Sequence, residues 1–210
     1  MNKMLLVIDC QYDFINGSMG IKGSEEMVNR LAEYVKEHGK EYKVLGFSAD
    51  WHPYNHCSFQ KEGGLWPVHC IPFTRGGALY EALTDAAYST GVPVNIYTKG
   101  TDSRWEEYSL FGNKESTERV KQIVKEQNIE QIEICGIAAE YCVKESLEGA
   151  IKEFGADMVT LFRRYTVAFE DIKSLDPVIE KYNLKVIDEK NIQPFLIKKS
   201  LHITKYQTYA

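Results

Sequence analysis

Apolar runs and helix-period segments alternate along this chain. It opens with Leu5-Leu6-Val7-Ile8 running into Asp9, a continuous apolar stretch that predicts a buried strand over 5–9. Ser24 is placed to cap a helix reaching about His38, with Met27, Leu31, Tyr34 and Val35 on one face. A second strand is predicted over 44–49, ending at Asp50, and a third over 93–98, ending at Lys99-Gly100. A polar amphipathic helix follows over 115–127, and a fourth strand over 132–136. Residues 140–154 read as a helix with Val143, Leu147, Ala150 and Ile151 facing inward, and 157–162 as a fifth strand. Asp176-Pro177 resembles an N-cap with proline at the first helical position, and 184–187 a short sixth strand. Between Asp50 and about Gly77 the chain is loop-rich, with Pro53, Gly63, Gly64, Pro67, Pro72 and Gly76. A loop that long inside a compact domain is usually functional.

This alternation predicts an α/β fold, a three-layer α/β/α arrangement around a mostly parallel six-stranded sheet. Residues 1–190 read as one domain. Residues 191–210 are an extension whose Pro194, Phe195, Leu196, Ile197, Ile203 and Tyr206 could pack on the core or on a partner chain, so a homo-oligomer is one expectation. Ligands of parallel sheets bind beyond the carboxyl ends of the strands. Asp9, Asp50, Lys99 and the Cys142 loop all stand at such ends, which points to a single site.

Bulk properties narrow the function. The chain has 210 residues, 44% of them hydrophobic, and a net charge of -5. The negative balance argues against a nucleic-acid binder, which normally presents a basic face. No apolar run is long enough to span a membrane, and the opening segment lacks the small-residue cleavage site of a signal peptide. Five scattered cysteines (Cys10, Cys57, Cys70, Cys135, Cys142) point to reduced thiols and a cytoplasmic setting.

The densest chemistry lies in Asp50-Trp51-His52-Pro53-Tyr54-Asn55-His56 and Trp66-Pro67-Val68-His69-Cys70, which hold three of the five histidines. Asp50 and His52 are two apart, so on an extended strand end they leave the same face. His56 and His69 could close round the same ion. Carboxylate plus imidazole suits Zn, Fe(II) or Mn, and a site with three protein ligands leaves room for water and substrate. Ordinary loop histidines are the bland alternative. Cys57 and Cys70 fit less well, because a closed Cys/His site leaves no open position.

Cys142 lies near the start of a helix after a strand, where the helix N-terminus would favour a thiolate. A buried structural cysteine is an equal reading of that residue alone. Asp9 follows an apolar strand and needs a partner, for which Lys99 is the obvious choice. The pair is either a structural ion pair or a proton-transfer couple beside the thiol. Phe14 and Trp66 could sandwich a flat ring or be ordinary core aromatics. Gln11 and Asp13 read as turn residues. His38 and His202 read as surface residues, and Arg75, Arg104 and Glu107 as loop residues without a role.

Taken in order, Asp9-Cys10-Gln11-Tyr12-Asp13-Phe14, Asp50-Trp51-His52-Pro53, Trp66-Pro67-Val68-His69-Cys70, Lys99-Gly100 and Gly136-Ile137-Ala138 through Cys142-Val143 resemble the nicotinamidase branch of the isochorismatase-like cysteine hydrolases. The resemblance covers the chain to about residue 190. It implies that Asp9, Lys99 and Cys142 are catalytic. It implies that Asp50, His52 and His69 hold one divalent metal, zinc with iron or manganese as alternatives, with His56 a fourth ligand or a neighbour of the ligands. It also implies a cis peptide at Ile137-Ala138 and an oxyanion hole from the N–H groups of Ala138 and Cys142. Phe14 and Trp66 would flank nicotinamide, whose ring nitrogen would meet the metal, and hydrolysis through a thioester would serve NAD salvage. Pyrazinamide would be a second substrate. The segment 101–111 lines the pocket in this family and varies among members, which leaves the substrate range open. A related cysteine amidase acting on carbamoyl or other small amides is one alternative, and a catalytically silent metal-binding module another.

Overall fold

The computed structural model describes residues 1–188. Six strands form one sheet: β1 (Lys3–Ile8), β2 (Val44–Asp50), β3 (Val94–Lys99), β4 (Gln131–Ile137), β5 (Val159–Val167) and β6 (Lys185–Val186). Their order is β3-β2-β1-β4-β5-β6, and every pairing is parallel. Leu6 of β1 pairs with Gly46 of β2 on one side and Ile134 of β4 on the other. The chain runs outward from β1 in both directions. The crevice between β1 and β4 is therefore the switch point where such sheets bind ligands.

The helices are α1 (Tyr12–Ile15), α2 (Ser24–His38), α3 (Glu81–Ser89), α4 (Lys114–Glu126), α5 (Lys144–Phe154) and α6 (Asp176–Tyr182). Alternation along each strand sends side chains to two cores. Leu5, Val7, Phe47 and Phe162 pack with Leu31 of α2 and Leu83 of α3. Met4, Leu6, Ile8 and Ile134 pack with Val120 of α4, Leu147 of α5 and Val178 of α6. The three-layer α/β/α architecture with a parallel six-stranded sheet is thus as the pattern predicted. The predicted extension, 191–210, lies outside the described residues.

Local differences from the sequence reading have local causes. Helix α3 was not predicted, because Leu83, Ala86 and Ala87 alone form its buried face and two of them are small. Ser24 does not cap α2. Gly23 takes the N-cap position at φ 84°, and Ser24 Oγ donates instead to the carbonyls of Ile15 (3.0 Å) and Ile21 (2.6 Å). The helix predicted over 140–154 is two pieces, a π turn at Ala139–Val143 followed by α5. Asp176 is already helical (φ -57°, ψ -41°), so it lies inside α6 and not at its cap.

Candidate active site

Three strand ends supply the buried charges. Asp9 follows β1, Asp50 ends β2 and Lys99 ends β3, and Asp50 and Lys99 are register partners. Lys99 is fully buried, and its Nζ lies 2.9 Å from Asp9 Oδ2, against Asp50 Oδ1, and 3.5 Å from Cys142 Sγ. Sequence reasoning paired Lys99 with Asp9; the structure adds Asp50, which links the ammonium to the histidines. Asp9 sits at φ +46°, a left-handed bend that turns its carboxylate back over the sheet. Ser48 Oγ donates to Asp9 Oδ1 at 2.6 Å. Gln11 clamps Asp50 by its backbone, accepting from its N–H (2.8 Å) and donating to its C=O (2.9 Å).

Burial and pairing set the protonation states. Burial pushes the Asp9 carboxyl above its ordinary value, against the pull of Lys99. At Asp50 burial also opposes ionisation, but the Lys99 ammonium and His52 outweigh it and hold the carboxyl well below the usual range. Burial works against charge on Lys99, yet Asp50 and Asp9 keep it protonated. Of the two carboxylates around the ammonium, Asp50 is thus the one held ionised, while Asp9 is shifted toward its neutral form.

Cys142 lies in the π turn after β4, with only 6% of its surface exposed. The Ile137-Ala138 peptide is cis. Gly136, at φ +124°, lets this turn lie against β1: a Cβ there would come within 2.1 Å of the Ile8 carbonyl oxygen. Burial raises the Cys142 thiol well above its ordinary value, and Lys99 lowers it only in part. The helix turn that follows works in the other direction, toward the thiolate. Asp9, Asp50 and Cys142 bring donor atoms within 4.8 Å of one another, so the thiol has carboxylates within reach.

Asp50, His52 and His69 form a second group whose donor atoms lie within 4.8 Å of one another, all buried. His52 Nδ1 donates to the Gly100 carbonyl (2.9 Å) and His69 Nδ1 to the Pro67 carbonyl (2.8 Å). Those bonds place the proton on Nδ1 and leave both Nε2 lone pairs for an ion. His52 Nε2 lies 3.6 Å from Asp50 Oδ2. Gly100, at φ +63°, makes room for this: a Cβ would meet the His52 ring at 2.2 Å. The donor set fits a divalent metal in ligand type and tautomer.

His56 stands outside that group. Its Nδ1 accepts from the Ser58 N–H (3.2 Å), so neutral His56 carries its proton on Nε2, which is buried and has no hydrogen-bond partner among the described residues. It groups instead with His52 and Glu106. Cys57 and Cys70 belong to neither group. Cys70 donates its N–H to Asp13 Oδ2 (2.7 Å), so Asp13 anchors the loop.

Part of this cluster opens on a narrow pocket whose empty space, counted out to open solvent, is about 320 Å³. Of the predicted residues, Phe14, Trp66, Ala138, Asp50, His69 and Cys142 line it, while Asp9, Lys99, His52 and His56 are not among its lining. Met19, Glu106, Tyr108, Tyr141 and Phe169 line it too and were missed. Tyr141 adjoins Cys142, and Glu106 and Tyr108 lie in the segment 101–111, so three had a signal in the sequence. Tyr108 OH accepts from Trp66 Nε1–H at 3.0 Å. Glu107, assigned no role, accepts the Gly100 N–H at 2.7 Å and holds the turn beside His52.

The isochorismatase domain model matches residues 3–159. A nicotinamidase of Saccharomyces cerevisiae is 29% identical over 220 residues, covering 89% of this chain and all of that one. A solved yeast nicotinamidase superposes with a TM-score of 0.76 at 26% identity, covering 89% of this chain and 100% of the other. A pyrazinamidase of Pyrococcus horikoshii, solved in complex with zinc, superposes with a TM-score of 0.72 at 26% identity, covering 90% and 99%. Among the described residues, no helix is long and apolar enough to cross a membrane.

Proposed function

The chain belongs to the isochorismatase family, and on that premise we propose that it is a nicotinamidase, hydrolysing nicotinamide to nicotinate and ammonia through a thioester on Cys142. The observation that carries this reading is the contact of Lys99 with Asp9, Asp50 and the Cys142 thiol beside the Asp50–His52–His69 donor set, with Asp50, His69 and Cys142 opening on one pocket. The nicotinamidase and pyrazinamidase relatives support the same substrate class.

Phe14 and Trp66 flank the pyridine ring and hold the carboxamide over Cys142. Asp50, His52 and His69 would hold a divalent metal, zinc or else iron or manganese, which when bound supplies a Lewis acid for the ring nitrogen. His56 offers an N–H to this region, and we assign it no direct ligation. Sulfur of Cys142 adds to the carboxamide carbon as Asp9 takes the thiol proton. The N–H groups of Ala138 and Cys142 receive the developing oxyanion. Asp9 then gives its proton to the amide nitrogen, ammonia leaves, and the thioester remains. Asp9 next takes a proton from water, whose oxygen adds to the thioester carbon; nicotinate departs and the thiol is restored. Lys99 keeps Asp9 within reach of ionisation throughout.

Ammonia release from nicotinamide, measured before and after chelation and after return of zinc, iron or manganese, tests the reading. Release that falls on chelation and recovers with metal is expected. Folded protein inactive with every metal would overturn it and direct attention to carbamoyl and other small amides.

A further inference from the structure

The outer side of the cavity is closed by a residue far from the family signature. Phe169 lies in the loop after β5, is 37% exposed, and stacks on Trp66 with ring centroids 5.8 Å apart at 21°. Its edge meets Tyr141 at 6.0 Å. This loop is held by one side chain of the nucleophile turn. Glu140 Oε2 accepts the Phe169 N–H (2.9 Å), and Oε1 accepts those of Glu170 (2.8 Å) and Asp171 (3.0 Å). Three successive backbone donors on one carboxylate make a strong, oriented latch.

We propose that Phe169 is a specificity-determining wall of this pocket and that Glu140 is the positioning residue that holds it there. The proposal rests on the nicotinamidase reading for the substrate's orientation. The carboxamide goes to Cys142 and the ring nitrogen toward Asp50 and His69, so both anchors flank C2 of the pyridine ring. The C5 edge lies opposite and points to the open side. Phe14, at 5% exposure, lines the deep side, and Phe169 is the exposed wall. Substituents at C5 therefore meet Phe169, while nicotinamide itself does not need to displace it.

Ammonia release is measured from nicotinamide and 5-phenylnicotinamide for wild type, Phe169→Ala, Glu140→Gln and the double variant. Phe169→Ala is expected to shift the kcat/KM ratio toward the larger amide by tenfold or more. Glu140→Gln keeps one carbonyl acceptor but turns an NH2 toward the Phe169 N–H, donor against donor. It is expected to shift the ratio the same way by a smaller factor. The double variant should shift it no further than Phe169→Ala alone, since Glu140 acts through Phe169. A purely structural Glu140 would lower both substrates' rates equally and leave the ratio unmoved. A ratio within twofold of wild type in Phe169→Ala overturns the proposal even where nicotinamide is turned over well. Should wild type release no ammonia, the dissociation constants of nicotinate and 5-phenylnicotinate give the same ratio without catalysis and decide it separately.

Discussion

Asp9, Asp50 and Lys99 leave three adjacent parallel strands and are almost wholly buried, whereas Trp66, Tyr108 and Phe169 come from separate loops and keep part of their surface in solvent. The first group is fixed by the sheet register: shifting β3 by one residue against β2 would send Lys99 to the opposite face and leave two carboxylates unpaired. The second is held by single hydrogen bonds such as Trp66 to Tyr108 and by the Glu140 latch. The contrast teaches that the bond-making groups share the stability of the core, while the ring-holding groups are free to vary with little effect on folding.

The largest effect should come from removing the nucleophile. Cys142→Ala is expected to lower turnover on the order of 10⁴-fold or more, with an unchanged melting temperature and metal content. Steady-state kinetics and metal analysis check it, and retention of most activity would break the strand-end half of the comparison. Lys99→Met should strike both chemistry and fold. It leaves Asp9 and Asp50 buried without a cation, at a cost of about 3–5 kcal/mol, read as a lowered midpoint in denaturant unfolding. An unchanged midpoint would mean that the cluster is solvated and not part of the core.

The same contrast explains what the sequence disclosed. Asp9, Asp50 and Lys99 were legible because each ends an apolar run, and a charge at that place must find a partner at the same rim of the sheet. His52 and His69 were legible by ligand type and crowding. Glu140 and Phe169 were not, since their contacts depend on the path of loops joined across long stretches of chain. Helix α3 escaped because a face of one leucine and two alanines carries little periodicity.

Intermediate effects should appear at the histidines. His69→Ala is expected to weaken metal binding tenfold or more while the fold persists, because its Nε2 lies in the loop-borne part of the donor set. Metal content after dialysis against a buffered chelator measures this, and full retention would remove His69 from the ligand set. The smallest effect belongs to the aromatic wall. Tyr108→Phe removes the acceptor of the Trp66 N–H, at a cost of about 0.5–1.5 kcal/mol. It should raise KM for nicotinamide several-fold with kcat nearly unchanged. A fall in kcat with KM constant would place Tyr108 among the bond-making groups instead.

The central claim is that sulfur of Cys142 carries the acyl group. Acid-quenching the enzyme during turnover of nicotinamide and determining the intact mass, then the modified peptide, tests it most directly. The account predicts a nicotinoyl adduct on the peptide bearing Cys142, absent from Cys142→Ala and lost on standing in neutral buffer. Steady ammonia release with no adduct at any quench time, from an enzyme whose deacylation has been made the slower step, would contradict it.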